Sequence, residues 1–394
     1  MSSFNLDTLV RPNILSLEPY RCARDDFKEG VLLDANENAY GPALAEIDTE
    51  EESQELNRYP DPHQIKLKEL VCKFRNSENK FDITPEEVIT PENICLGVGS
   101  DESIDGLIRT LCRPGKDKLL TCPPTYGMYS ICATVNDIDI VKVPLDFETF
   151  QIQPALINKA IDADPSINIV YITSPGNPTG TLIPFESFKQ ILDNPNFNGV
   201  VVADEAYIDF APIGSSLATL VNKYPNLVVM QTVSKSFGLA AIRLGMTFAC
   251  KRLAGILNAL KAPYNISTLT SQVAERTFSD AGVKLMRDRV EILNDQRSLL
   301  IKELLKIDRV SKLIGGEASN FILMQIVDSE GVPSSPLAKQ IYEKLATTKG
   351  VVVRFRGTEP GCPGALRITV GTKEENAILL ESLKAVVAEL TATK

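Results

Sequence analysis

The sequence has no tryptophan and a single histidine, His63, among its 394 residues. One histidine excludes any metal site that is built from several imidazole ligands. A Ser-His-Asp triad would have to use His63, but the surrounding NRYPDPHQIKLKEL is typical of a turn that enters a helix. We therefore predict neither a metal centre nor a serine-type catalytic triad.

Long apolar runs are also missing. No run approaches the roughly 20 residues of a membrane span, and MSSFNLDTLVRPNIL lacks the apolar segment of a secretion signal. The eight cysteines form no CxxC pair, which favours buried thiols over disulfides. The formal net charge of −10 argues against a general nucleic-acid binder, because phosphate contacts need a basic face. We expect a cytoplasmic protein without membrane or nucleic-acid partners.

Alternating strand and helix patterns fill the middle of the chain. Between about residues 92 and 250, several strand-like runs are continuous in Val, Ile and Leu, as in strands buried on both faces. This pattern predicts an α/β fold with a large, doubly wound, mostly parallel sheet. After it, long helices and the strands FILMQIV, VVVRFR and ALRITVG predict a smaller α+β domain. The predicted boundaries are 1–40 for an N-terminal arm that joins the small domain, 41–280 for the large domain and 281–394 for the small one.

Candidate ligand groups follow the predicted strands, where α/β sheets bind their ligands. Gly97 and Gly99 precede a helix start at Ser100 and Asp101, whose free N–H groups favour an anion. The alternative is that Ser100 is a plain N-cap. In SPGNPTG, prolines and glycines would hold the Asn177 side chain in a stiff turn, although Asn-Pro is also common in ordinary turns.

Asp204 leaves a fully apolar strand in VVVADEAY, where a buried carboxylate needs a cation or several donors. A structural ion pair is the alternative explanation for it. Tyr207, three residues later, offers a phenol to the same region.

The stretch QTVSKSFGLAAIRLG combines hydroxyls, an amine and a guanidinium. Thr232, Ser234 and Arg243 could surround a phosphate, and Lys235 offers an amine whose pKa would fall beside another cation. Taken together, the loops supply an anion cradle, a buried carboxylate, a phenol and an amine. A pyridoxal 5′-phosphate (PLP) site needs these parts.

The segments SPGNPTG, ADEAY and SKSFGLAAIRLG, in this order and spacing, resemble the fold-type I PLP enzymes of the aspartate aminotransferase superfamily. Within it, LEPY, LDANENAYGP, NRYPDP, CPPTYGMY and RFRGTEPGCPGALRITVGT resemble the histidinol-phosphate aminotransferases. The resemblance implies a homodimer with shared active sites. It also implies transamination of L-histidinol phosphate with 2-oxoglutarate, a step of histidine biosynthesis. The alternatives are a related aminotransferase for aromatic or other amino acids, and a phospho-amino-acid decarboxylase on the same fold.

The resemblance also implies residue roles. Lys235 would carry the cofactor and transfer the proton, and Asp204 would pair with the pyridinium nitrogen. Asn177 and Tyr207 would hydrogen-bond the ring hydroxyl oxygen, and Tyr126 would stack on the ring. The groups implied for the cofactor phosphate are Ser100, Asp101, Thr232, Ser234, Arg243 and, from the neighbouring subunit, Tyr59. The groups implied for the substrate are Tyr20, Asn36, Arg354 and Arg367.

One arginine of the RFRGTEP segment has no clear role in this resemblance. The strand period of two puts Arg354 and Arg356 on one face, and a guanidinium binds carboxylate and phosphate equally well. We predict that Arg356 is a surface or salt-bridge residue.

Overall fold

A seven-stranded sheet forms the centre of the computed structural model, which describes residues 3–18, 21 and 54–392. Its strands are β1 (Ile94–Val98), β2 (Lys118–Thr121), β3 (Asp139–Lys142), β4 (Ile167–Thr173), β5 (Val200–Asp204), β6 (Leu227–Thr232) and β7 (Leu244–Phe248). The spatial order is β1-β7-β6-β5-β4-β2-β3, and only β7 is antiparallel to its neighbours. The predicted doubly wound, mostly parallel sheet is confirmed.

Helices cover both faces of this sheet, which explains why β5 and β6 are buried along their whole length. The helices of this part are α1 (Leu6–Leu9), α2 (Pro12–Leu15), α3 (Ile65–Ser77), α4 (Ser100–Leu111), α5 (Met128–Val135), α6 (Pro154–Ala163), α7 (Phe185–Leu192), α8 (Lys251–Leu260) and α9 (Thr268–Thr277). Short 3₁₀ turns lie at Pro85–Glu87, Pro91–Asn93, Ile208–Phe210, Ala218–Leu220 and Ala240–Ile242.

A second, antiparallel sheet has the strand order β10-β11-β9-β8. Its strands are β8 (Val310–Leu313), β9 (Phe321–Ile326), β10 (Arg354–Phe355) and β11 (Ala365–Thr369), and the accompanying helices are α10 (Asp280–Leu304), α11 (Ser335–Lys349) and α12 (Lys373–Ala392). They enclose their own apolar core, in which Leu304, Ile322 and Leu345 are fully buried. The smaller α+β unit of the predicted fold is therefore present, whereas the exact domain boundaries stay predictions.

The described start of the chain packs on the large sheet. Leu6, Leu9 and Ile14 share an apolar cluster with Leu107 of α4 and Leu253 of α8. This contact places α1 and α2 in one helical layer of the large sheet.

The two sheets meet at the SPGNPTG turn. The N–H of Gly316 donates to the carbonyl of Thr179 at 2.8 Å, and the N–H of Ala318 donates to the carbonyl of Gly180 at 2.9 Å. The small sheet is thereby held against the carboxyl end of β4, where ligand groups were expected.

The described cysteines are all free thiols, as predicted, and most of them are buried. Cys22 lies outside the described residues. Within the described ranges, no helix combines the length and the apolar character that crossing a bilayer requires.

Candidate active site

A cleft of about 590 Å³ opens at the carboxyl ends of β1, β4, β5 and β6 and extends to β10 and β11. It brings together most of the residues that the sequence singled out, namely Ser100, Asp101, Tyr126, Asn177, Asp204, Tyr207, Thr232, Ser234, Lys235, Arg243, Arg354 and Arg367. These side chains come from strand ends that are far apart in sequence and meet because the strands run parallel.

Three predicted residues are not in this group. Tyr59 is 53% exposed and stacks on Tyr264, with 4.6 Å between the ring centroids, and it does not line the cleft. Tyr20 and Asn36 lie outside the described residues.

The start of α4 forms an anion cradle. Gly99, not Ser100, is the N-cap, and no side chain caps the helix, so the first N–H groups remain available for a ligand. Gly99 has φ +75°, which favours glycine. A Cβ on Gly245 of β7 would lie 2.5 Å from the Gly99 backbone, so only glycine permits this close approach.

Hydroxyl and cationic groups surround this cradle. The hydroxyl oxygens of Thr232 and Ser234 are 2.9 Å apart. The ion pair between Arg243 and Asp101 is long, with 3.9 Å between Nη2 and Oδ2. The Arg243 guanidinium is about half exposed and therefore has donors to offer an anion. This arrangement fits a phosphate group.

Asp204 ends β5 and is only 3% exposed. Its Oδ2 accepts a hydrogen bond from the Tyr129 hydroxyl at 2.6 Å, and its Oδ1 accepts one from the N–H of Ala206 at 3.2 Å. Burial raises the pKa of Asp204 to about 6, although both hydrogen bonds oppose this shift. No ion pair to Asp204 forms among the described residues, so the structural ion pair that the sequence left open is not found.

The Lys235 amine lies above the Tyr207 ring, 5.6 Å from its centroid. Burial lowers the pKa of Lys235, and the positive charges of Arg367 and Arg243 lower it further. A lowered pKa makes the neutral, nucleophilic amine more abundant. Burial raises the pKa of Tyr207 to about 12, so this phenol keeps its proton and can donate a hydrogen bond.

Asn177 and Tyr126 also have defined partners. The Asn177 Oδ1 accepts from Nη1 of Arg367 at 2.5 Å, which joins the SPGNPTG turn to β11. The Tyr126 hydroxyl donates to Oδ1 of Asp101 at 3.1 Å, which holds its ring at the cleft wall.

The far end of the cleft is strongly basic. Arg354 of β10 lies directly opposite Arg367 of β11 in the antiparallel register. Arg356 also lines the cleft, and its Nη1 contacts Oε1 of Glu359 at 3.1 Å, which confirms the predicted salt bridge. Like charges on facing strands repel each other, so this end favours an anionic ligand.

Tyr129 is a site residue that the sequence did not indicate. It lies in α5, whereas Tyr126 precedes this helix, and the two rings meet edge to face with 5.8 Å between their centroids. The Tyr129 hydroxyl is also 2.9 Å from Oγ1 of Thr173. The second tyrosine of CPPTYGMY was the only available signal. Its partner Asp204 lies 75 positions further along the chain, and sequence patterns do not indicate such a contact.

The donor set of the cleft fits PLP. A phosphate would meet the start of α4 and the hydroxyls, and the aldehyde would meet the amine of Lys235. The pyridine nitrogen would meet the carboxylate of Asp204, which has no cationic partner in the described part of the chain.

Comparisons with known proteins identify the family. A model of the family "Aminotransferase class I and II" matches residues 28–383. The chain belongs to this aminotransferase family. It is 55% identical to the histidinol-phosphate aminotransferase of Candida maltosa, covering 98% of this chain and 99% of the relative. It is 52% identical to that of Schizosaccharomyces pombe, over 99% of this chain and 100% of the relative.

Solved aminotransferase structures share the fold. The histidinol-phosphate aminotransferase of Sinorhizobium meliloti, solved in complex with pyridoxal-5′-phosphate, superposes with a TM-score of 0.74 at 20% identity. The superposition covers 90% of each chain. The predicted aminotransferase family and its fold are both confirmed.

Proposed function

We propose that this aminotransferase uses PLP to transfer the amino group of L-histidinol phosphate to 2-oxoglutarate, a step of histidine biosynthesis. The observation that carries the proposal is one cleft with a cofactor-type end and an arginine-rich end. The first end has Asp204 and Lys235, and the second has Arg354 and Arg367. The names of the relatives that are more than half identical support the same activity.

The proposed cofactor contacts follow from the donor set. The cofactor phosphate would be held by Ser100, Asp101, Thr232, Ser234 and Arg243. Tyr126 would lie against the ring, and Asn177 and Tyr207 would hydrogen-bond its hydroxyl oxygen. Asp204 would keep a proton on the ring nitrogen. When bound, PLP supplies an electron sink for breaking the Cα–H bond of the substrate.

Lys235 is the proposed catalytic base and acid. Its Nζ would take the proton from the substrate Cα and hold it for the transfer that completes the half-reaction, and it would act in the reverse direction on the second substrate. Its lowered pKa suits this task, because the amine must be neutral to accept the proton.

The arginine end is the proposed substrate anion site. Histidinol phosphate has a phosphate and no carboxylate, whereas glutamate and 2-oxoglutarate have two carboxylates. Arg354 and Arg367 can bind either anion through the same guanidinium geometry. From the family resemblance, we propose that Tyr20 and Asn36 also contact the substrate.

We further propose a homodimer that shares its active sites, with Tyr59 of one subunit reaching the cofactor phosphate of the other. Tyr59 is exposed and does not line the cleft of its own chain, which supports this. Hybrid dimers test it, because a dimer of one Lys235→Ala and one Tyr59→Ala chain keeps one intact site. Recovery of activity on mixing the two variants supports sharing, and no recovery contradicts it.

The free thiols are consistent with a cytosolic location.

The decisive experiment is an absorbance spectrum of the PLP-loaded protein during sequential substrate addition. L-Histidinol phosphate should convert the band of the lysine-bound cofactor into that of the aminated cofactor, and 2-oxoglutarate should restore it. Conversion only by other amino acids would contradict the substrate assignment. Release of CO₂ without any need for 2-oxoglutarate would instead indicate a decarboxylase.

The Lys235→Ala variant tests the base in the same assay. We expect loss of both spectral changes with the fold retained. Lys261→Ala is a matched control, because Lys261 is also partly buried with a lowered pKa but lies outside the cleft. Near-normal turnover in Lys235→Ala would overturn the assignment.

A further inference from the structure

The arginine end of the cleft has more positive charge than the binding of one carboxylate requires. Arg354, Arg356 and Arg367 all line it, whereas the carboxylates that line the cleft, Asp101 and Asp204, lie at the cofactor end. Among the described residues, Arg354 and Arg367 form no ion pair, and Arg367 is bonded to the neutral Asn177. Within the described ranges, Glu359, which contacts Arg356, is therefore the only carboxylate in direct contact with these three arginines.

Arg356 is held close to the other two arginines by the backbone. Its N–H donates to the carbonyl of Ala365 at 2.9 Å, which continues the pairing of β10 with β11 by one residue. The strand period of two then puts Arg356 on the side of Arg354. Burial lowers the pKa of Arg367 most, and the charge of Arg356 is the next largest cause. This also indicates that the two guanidinium groups are near each other.

The contact between Arg356 and Glu359 is easily exchanged. The two side chains are 24% and 30% exposed, and ion pairs with this exposure contribute little to stability. The Nε of Arg356 is buried and has no hydrogen-bond partner among the described residues. The guanidinium thus has an unused donor beside a weakly held carboxylate.

We propose that Arg356 is a specificity-determining residue that exchanges Glu359 for the phosphate of the substrate. The reason is the charge of the ligand. A phosphate monoester has a charge near −2 at neutral pH and three acceptor oxygens, so a third guanidinium adds attraction. A carboxylate has a charge of −1, which Arg354 and Arg367 already exceed, so Arg356 remains with Glu359.

This inference rests on the proposed function. It gives Arg356 a role that Arg354 and Arg367 do not have, namely to distinguish a phosphate substrate from a carboxylate substrate. Those two arginines serve both substrates, whereas Arg356 contributes only when the anion is a phosphate. Its removal should therefore separate the two half-reactions kinetically.

Single-turnover rates of the PLP-loaded protein test this. For Arg356→Gln, we expect kcat/KM for L-histidinol phosphate to fall about tenfold or more, mostly through KM, and kcat/KM for L-glutamate to change less than twofold. Glu359→Gln should lower the KM for L-histidinol phosphate, because Arg356 is released. Equal losses for both substrates, or no loss for either, would overturn the proposal.

Arg309→Gln is the matched control. Arg309 has a similar exposure of 22%, also pairs with an acidic neighbour, Asp308, at 3.3 Å and belongs to the same domain, but it lies outside the cleft. It should leave both half-reactions unchanged.

A second measurement decides the inference even if L-histidinol phosphate is not a substrate. Inorganic phosphate, added to the PLP-loaded protein, should compete with L-glutamate, and Arg356→Gln should raise its inhibition constant about tenfold. An unchanged constant contradicts the role of Arg356. A wild-type protein that ignores L-histidinol phosphate but shows this difference contradicts only the proposed substrate.

Discussion

Two buried carboxylates, Asp204 and Asp209, follow the same strand and have opposite electrostatic surroundings. Both are nearly inaccessible, with exposures of 3% and 5%. Burial raises the pKa of Asp204 to about 6. Burial acts on Asp209 in the same direction, but Arg75 and Arg287 outweigh it and hold the pKa of Asp209 below its usual value.

The difference lies in what the chain provides to each group. The Asp209 carboxylate contacts Nη1 of Arg75 at 2.7 Å and accepts a hydrogen bond from the Ser236 hydroxyl at 2.7 Å, and Nη1 of Arg287 donates to the Asp209 carbonyl at 3.0 Å. In the part of the chain that the structure describes, Asp204 receives only neutral donors, Tyr129 and the N–H of Ala206. Removal of one partner of a buried ion pair destabilises the fold, whereas a buried carboxylate without a cation is suited to a cationic ligand.

Of the changes that test this comparison, Asp204→Asn should have the largest effect. This change removes the charge that holds a proton on the cofactor nitrogen, so we expect kcat to fall about 10²–10³-fold, as for other preorganised electrostatic contacts. The unfolding free energy of the PLP-free protein at neutral pH should not fall, because no ion pair is broken. Steady-state kinetics and urea unfolding measure the two quantities. A strong loss of stability with little loss of kcat would reverse the roles of the two carboxylates.

Asp209→Asn should show the opposite pattern. Arg75, whose side chain is 4% exposed, would lose the carboxylate 2.7 Å from its Nη1 and keep the more distant Glu78 at 3.6 Å, so we expect the unfolding free energy to fall by about 3 kcal/mol. The kcat of the folded fraction should stay within about threefold of wild type. Urea unfolding at a fixed protein concentration gives the first value, with Asp204→Asn as the control of identical chemistry.

This contrast shows which parts of the site could be predicted from the sequence alone. Apolar runs predicted the strand that ends at Asp204, and the family resemblance predicted the role of that carboxylate. Asp209 received no role, because its partners Arg75 and Arg287 lie 134 and 78 positions away. Periodicity reports neighbours along one element, whereas ion pairs between elements depend on how the elements pack.

The same limit applies at the arginine end of the cleft. The period of two placed Arg354 and Arg356 on one face, but it could not show that Arg367 lies opposite Arg354 or that Arg356 reaches the cleft. Backbone register decides the first point and side-chain packing the second. Both are tertiary properties.

The two carboxylates should change the stability of the protein in opposite directions as the pH rises. The folded pKa of Asp204, about 6, exceeds its unfolded value of about 3.9, so the folded protein binds more protons between these values. Its contribution to the unfolding free energy should therefore decrease by about 3 kcal/mol in total as the pH rises from about 3 to 7, with about two thirds of this decrease between pH 4 and 6. Asp209 has a lowered folded pKa, so its contribution is present above about pH 4 and is lost as the pH falls further.

Difference curves isolate these contributions. Urea unfolding of the PLP-free protein from pH 3 to 8, with wild type minus Asp204→Asn, should show the decrease between pH 4 and 6. Subtraction is necessary because burial also raises the pKa of Glu205, to about 7, and this group adds a decrease of its own. A flat difference curve would mean that the pKa of Asp204 is not raised in the protein without its cofactor.

The smallest expected effect comes from Tyr129→Phe. The Tyr129 hydroxyl donates to Asp204 and lowers its pKa, so its loss should raise that pKa further and move the end of the pH-dependent decrease above pH 6. A hydrogen bond to a charged carboxylate contributes about 1.5 kcal/mol, so we expect kcat to fall about tenfold. Tyr171→Phe is the matched control, because Tyr171 is equally buried and stacks on Tyr129 at 4.6 Å, but its hydroxyl donates to the carbonyl of Ile104. If both variants shifted the curve equally, the effect would come from aromatic packing and not from the hydrogen bond to Asp204.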